Sequence, residues 1–109
     1  MIMYGLSTCP VCQRARKTLE GHGKTIEFRD VRADPLSEAE LTELINEFGD
    51  RLVDRTSSDY RGLTDWLKAS EADAQIAAKP KVMMRPVIQN GDAWHLGWTE
   101  KVEAALLAD

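Results

Sequence analysis

The tightest constraint on the fold lies near the start of the chain: an apolar run over residues 2–6, polar Ser7 and Thr8, and then Cys9-Pro10-Val11-Cys12. An apolar run of that length suits a buried strand. Proline is favoured at the first helical position, where its missing N–H costs nothing, so the spacing predicts a helix beginning at Pro10. Val11, Ala15 and Leu19 recur every four residues, and Gly21-His22-Gly23 supplies the stop. A strand that turns through Cys9 into a helix puts both sulfurs on the first helical turn, Cys9 outermost and Cys12 behind it. Backbone N–H groups left free at a helix start favour a thiolate there, and the helix dipole adds to the effect.

Downstream, residues 25–28 read as a second strand. Ser37 and Glu40 have the spacing of a capping box, Leu36 and Leu41 that of a hydrophobic staple, and Leu41, Leu44, Ile45 and Phe48 keep helical spacing as far as Gly49. A helical stretch over 60–68, with Tyr60, Leu63 and Leu67 on one face, precedes a short helix capped by Ser70 and Asp73 that ends before Pro80. After Pro86, residues 87–88 and 93–98 flank Asn90-Gly91, a pair suited to a type I′ hairpin turn. Residues 100–108 close the chain as a helix with Val102, Ala105 and Leu106 inward. Trp66, Trp94 and Trp98 are read as core or hairpin packing, Met83 and Met84 as strand or loop packing, and His95 as a surface histidine. The order predicts an α/β chain, a parallel βαβ start joined to an antiparallel hairpin and a final helix, forming a mixed sheet flanked by helices.

Composition narrows the chemistry. At 109 residues and 43% hydrophobic, one domain with its own core is expected, with no membrane-spanning stretch and no secretory signal, hence a cytoplasmic location. In a reducing compartment two cysteines this close are expected to be chemistry rather than a staple. Two cysteines with distant His22 and His95 do not make a four-ligand zinc site, and no metal is expected. Residues 13–32 hold six basic and three acidic side chains, and residues 33–75 four basic and eleven acidic, so positive charge follows the cysteines although the whole chain is at −4. Nothing is basic enough to predict nucleic-acid binding. A thiol of pKa about 8.5 is a few per cent ionised at pH 7, and one lowered to about 7 is half ionised. Cys9 is therefore the predicted attacking thiol and Cys12 the predicted resolving thiol. Ser7 and Thr8 are placed to donate hydrogen bonds to the Cys9 sulfur.

Several further segments carry a resemblance. Tyr4-Gly5-x-x-Thr8-Cys9 with Ala15-Arg16-Lys17, Phe28-Arg29-Asp30, Pro35-Leu36-Ser37, Asp54-Arg55 with Tyr60-Arg61, and Met84-Arg85-Pro86-Val87-Ile88 before Leu96-Gly97-Trp98 together resemble the glutaredoxin-linked arsenate reductase family, which includes the Spx regulators. The resemblance implies a thioredoxin-like fold with a helical insertion at about residues 34–79. It implies that Cys9 is the nucleophile, that Arg85 stands beside a cis Pro86, and that Arg55 is a second anion-binding arginine. Guanidinium groups so placed would stabilise a thiolate and grip an oxyanion or the carboxylates of glutathione. Thr8 and Pro86 complete the implied substrate-binding set. The implied activity is a thiol-dependent reductase, a monomer with no bound cofactor, acting on a small thiol or oxyanion with glutathione or glutaredoxin as thiol donor. Cys-Pro-x-Cys also looks like glutaredoxins, and Cys-x-x-Cys looks like Spx, whose members act by binding RNA polymerase. Arsenate-reducing members carry a third arginine around the hairpin, whereas this chain has none between Pro86 and Trp98, so arsenate reduction ranks third.

Overall fold

The computed structural model describes residues 1–108. In chain order the elements are β1 (Ile2–Gly5), α1 (Pro10–Gly21), β2 (Glu27–Asp30), α2 (Glu38–Phe48), α3 (Ser58–Arg61), α4 (Asp65–Lys68), α5 (Ala72–Ala78), β3 (Val87–Asn90), β4 (Ala93–Leu96) and α6 (Glu100–Leu107), with 3₁₀ turns at Gly49–Leu52 and Pro80–Val82. They fall into two compact units, one formed by Met1–Asp30 with the chain from Arg85 onward, the other by Val31–Met84.

The first unit holds a four-stranded sheet in the order β2-β1-β3-β4. β1 runs parallel to β2, which requires a crossover that α1 provides, and antiparallel to β3, which pairs with β4 as a hairpin. The mixed α/β sheet read from the sequence is therefore the one observed. Met3 has Phe28 and Ile88 as its cross-strand neighbours. With Ala15 and Leu19 of α1, Ile26 and Leu106, Met3 and Ile88 form the core, and Phe28, Trp98, Val102 and Leu107 pack half-buried against it.

Four local readings shift. The buried stripe of α1 is Cys12, Ala15 and Leu19, while Val11 is half-buried. β2 lies two residues later than predicted, because the parallel ladder opens with Glu27 opposite Ile2 and leaves Ile26 in the core ahead of it. In the hairpin Asn90 pairs with Ala93, so the two loop residues are Gly91 and Asp92. Only Gly91 has positive φ, at +62°, which is the sign pattern of a type II′ turn with glycine first rather than type I′. In α6, Leu106 is buried and Val102 partly so, but Ala105 is exposed.

The second unit is helical. Its α2 realises the capping box: the Ser37 N–H donates to Glu40 Oε1 at 2.8 Å and the Glu40 N–H to Ser37 Oγ at 3.1 Å. The single helix predicted over 60–68 is instead two four-residue helices. Ser57 Oγ accepts from Tyr60 N at 3.1 Å and Thr64 Oγ1 from Leu67 N at 3.2 Å, so each hydroxyl starts its own helix, with Gly62 between them. Helix α5 starts from Glu71 with no side-chain cap, because the Ser70 hydroxyl donates to the Trp66 carbonyl and Asp73 Oδ1 takes the Ala74 N–H. Buried Gln75 donates its Nε2 to the Leu67 and Ser70 carbonyls at 2.9 and 3.1 Å, closing the end of α4. Trp66 is 76% exposed, so it is surface rather than core. Leu36 and Leu41, the staple pair, line a cavity of about 430 Å³ with Val31 and Ile76. This unit holds seven basic and eleven acidic residues, so the whole net charge of −4 belongs to it and the first unit is neutral. Among the described residues no helix is long and apolar enough to cross a membrane.

Candidate thiol site

The two cysteines stand where β1 passes into α1. Cys9 is the residue that caps the helix, with extended backbone at φ −81° and ψ 118°, and Pro10 occupies the first helical position. The Cys9 N–H donates to the Leu6 carbonyl at 3.0 Å, closing a turn over residues 6–9, and the Cys9 carbonyl accepts from Gln13 N–H at 3.0 Å. The Cys9 side chain is half-buried and that of Cys12 is fully buried.

This difference in burial sets the two thiols apart. Partial burial alone would push the Cys9 thiol up. It is outweighed by the Cys12 N–H and thiol, the Val11 N–H and the Arg85 charge, which together hold Cys9 below the ordinary thiol value. Burial pushes Cys12 up to about 12, helped by the hydrogen bond it gives Cys9 and by the charge there, against a smaller opposing pull from the Leu6 N–H and Arg85. One consequence is direct. Iodoacetamide at pH 7 is expected to add once, to Cys9, with a rate that falls as pH drops through a value below the ordinary thiol range. Modification of Cys12, or a Cys9 rate that titrates like a free thiol, would contradict this assignment.

Gly5, which sequence reasoning met only inside a longer resemblance, proves to be a packing requirement. A Cβ there would lie 2.5 Å from Cys12 Sγ and 3.4 Å from Cys12 Cβ, so the end of β1 reaches the first turn of α1 only because the side chain is missing. A glycine closing a strand just before the cysteines was the available signal.

The remaining predicted site residues are distributed as follows. Arg85 is half-buried in the first unit, acts on both sulfurs, and joins Pro86 through a cis peptide bond. Pro86 is buried, and its carbonyl accepts the N–H of Gly97, a residue at φ +77°. That accounts for the glycine before Trp98. Thr8 is exposed. Ser7 gives its hydroxyl to Asp30 Oδ2 at 2.8 Å. Arg55 lies in the second unit, where its Nη2 is 4.0 Å from Asp50 Oδ2; the Arg55 side chain is 59% exposed, and such a pair adds little stability. Among the described residues no cluster of His, Cys, Asp or Glu has the makings of a metal site.

Comparison with known proteins places this geometry. A glutaredoxin family model matches residues 1–53. The global transcriptional regulator Spx 2 of Lactococcus lactis is 27% identical, over 96% of this chain and 84% of its own length. The Streptococcus mutans global transcriptional regulator Spx is 26% identical, over 92% of this chain and 77% of its own length. Among solved structures, the YFFB (PA3664) protein matches with a TM-score of 0.87 and 28% identity across 97% of both chains. An arsenate reductase (ArsC) related protein from Brucella melitensis has a TM-score of 0.74 at 23% identity, over 95% of this chain and 91% of its own. The chain has a thioredoxin-like fold and is similar to the Spx and ArsC-related proteins. In this thioredoxin-like chain the β1–α1 junction presents one accessible, acidified thiol backed by one buried, protonated thiol. That pair has the chemical equipment for thiol–disulfide exchange.

Proposed function

We propose that this chain is a thiol–disulfide oxidoreductase in which Cys9 attacks and Cys12 resolves, with glutathione or a glutaredoxin as the thiol donor. The observation that carries the reading is the opposite displacement of two adjacent thiols. The Cys9 thiolate attacks a mixed disulfide between glutathione and a substrate, forming a Cys9–glutathione disulfide and releasing the substrate thiolate, which takes up a proton. Cys12 then attacks Cys9 Sγ, its proton passing to the departing glutathione thiolate. The Cys9–Cys12 disulfide keeps the oxidising equivalents, and two glutathione thiols reduce it.

The second step gains from the first. Cys12 is held protonated by burial, and in addition by the hydrogen bond to Cys9 and the charge on Cys9. Once Cys9 is in a mixed disulfide, that charge is gone, so the hold on the Cys12 proton loosens at the moment Cys12 must attack. Arg85, which favours the thiolate of both sulfurs, is the proposed grip on a glutathione carboxylate. Thr8, beside Cys9 in the same unit, is proposed as a further contact to the anionic substrate.

The test is intact-mass measurement after one equivalent of oxidised glutathione. A loss of two hydrogens relative to the reduced chain supports the two-cysteine route. A persistent glutathione adduct on Cys9 limits the chemistry to one thiol, and no change at all removes the proposal.

A second reading is favoured by the relatives named as global transcriptional regulators. In it, the same Cys9–Cys12 disulfide switches binding to a protein partner such as RNA polymerase. Purified RNA polymerase retained by the reduced but not the oxidised chain supports that switch, and equal retention of both forms removes it.

A further inference from the structure

The turn that delivers Cys9 is braced from two sides through one residue. Ser7 sits inside the turn closed by the Cys9 N–H on the Leu6 carbonyl. Its N–H and its hydroxyl both donate to Asp30 Oδ2, at 2.9 and 2.8 Å, and its carbonyl accepts from Gln13 Nε2 at 2.7 Å. Every polar group of Ser7 is thus engaged, by the last residue of β2 on one side and by the second turn of α1 on the other. The same turn reaches both cysteines: the Leu6 N–H acts on the Cys12 sulfur, and the Leu6 carbonyl fixes the Cys9 amide. The brace joins residues 23 apart in sequence within a single compact unit.

We propose that Asp30 is a positioning residue for the thiol site: by clamping Ser7 together with Gln13, it fixes the turn that seats Cys9 at the start of α1. Asp30 touches neither sulfur in this role. It acts by keeping Cys9 where the free N–H groups of Val11 and Cys12 meet its thiolate. The groups that act on Cys9 are Cys12, Val11 and Arg85. The inference rests on the thiol–disulfide reading for its purpose, but the property it concerns, the ionisation of Cys9, is measurable without turnover.

The sign of the effect separates positioning from simple electrostatics. Removing a carboxylate near a thiolate removes a repelling charge, which lowers the thiol pKa in any purely coulombic role. Loosening the turn withdraws the helix-start N–H groups, which raises it. Asp30→Asn keeps an amide oxygen able to accept from Ser7 but loses the charge.

The experiment measures the rate of Cys9 alkylation by iodoacetamide against pH, with intact mass to count adducts and Cys9→Ser as the blank. Positioning is supported if Asp30→Ala slows alkylation at pH 7 by about threefold or more and moves its titration upward, while Asp30→Asn stays near wild type. Gln13→Ala, which cuts the brace from the helix side, is expected to shift in the same direction and serves if Asp30→Ala does not fold. The proposal is overturned if Asp30→Ala and Asp30→Asn both speed alkylation, or if both leave the titration unchanged while only the melting temperature falls. Absence of disulfide exchange in the wild type would count against the oxidoreductase reading alone, since the titration stands apart from it.

Discussion

Cys9→Ser is expected to lose disulfide reduction by at least about a thousandfold, because a serine hydroxyl at neutral pH has almost none of the anionic form that a lowered thiol supplies. The surroundings would survive the change: the turn from Leu6, the Gln13 N–H on the carbonyl of residue 9 and Pro10 are backbone features that serine keeps. A collapse of activity without loss of stability therefore assigns the chemistry to the sulfur. Cys12→Ser is the informative partner. Its hydroxyl can still donate toward Cys9 and its N–H remains, so first attack persists while the internal resolving thiol is gone. Turnover is then expected to fall about tenfold or more at micromolar glutathione and to recover at millimolar glutathione, with a glutathione adduct on Cys9 visible by mass. Steady-state reduction of a glutathione mixed disulfide, run at both concentrations, checks the pair. Full activity in Cys9→Ser would end the mechanism.

What was legible in the sequence follows the range of the forces involved. The start of α1 was readable because Pro10 and the cysteines act within one turn of helix, and the start of α2 because Ser37 and Glu40 bond to each other's backbones. The 60–68 region was misread because apolar spacing continues through it, whereas Ser57 and Thr64 each end the previous path and start a new helix. Apolar character suggested that Trp66 is buried, yet Gln75, eight residues beyond Leu67, bonds the carbonyls at the end of α4 and Trp66 stays 76% exposed. The thiol pair was visible from spacing alone. The clamp on Ser7 was not, since Asp30 is brought to it only by the parallel pairing of β2 with β1. Local hydroxyl chemistry pointed Ser7 at the Cys9 sulfur, but the Ser7 hydroxyl goes to a carboxylate from the next strand.

Gly5→Ala is expected to destabilise the chain by about 2 kcal/mol, near the middle of the range for overpacking a core and equivalent to roughly a thirtyfold shift toward the unfolded state. The added methyl meets Cys12 Sγ at 2.5 Å, closer than real side chains approach, so one of the two must move. Neither moves freely. Gly5 is the last ladder residue of β1, opposite Asp30, and Cys12 is fully buried at the first turn of α1. Backbone strain is not involved, because Gly5 is not among the residues with positive φ. The cost is therefore a pairwise clash, and a pairwise clash is relieved from either side. Cys12→Ala removes the sulfur and leaves only the 3.4 Å approach to the Cys12 Cβ, so the double variant is expected to recover most of what Gly5→Ala loses. The coupling should be about 1–2 kcal/mol and favourable. Urea unfolding of the four proteins, with unchanged m-values, measures it. Additive losses in the double variant would mean that Gly5 is needed for some reason other than room for the Cys12 sulfur. In the single variant the displaced sulfur also loses its alignment with Cys9, so the Cys9–glutathione adduct should live longer than in wild type. The same glycine that lets β1 meet α1 thereby sets the distance across which the second thiol resolves the first.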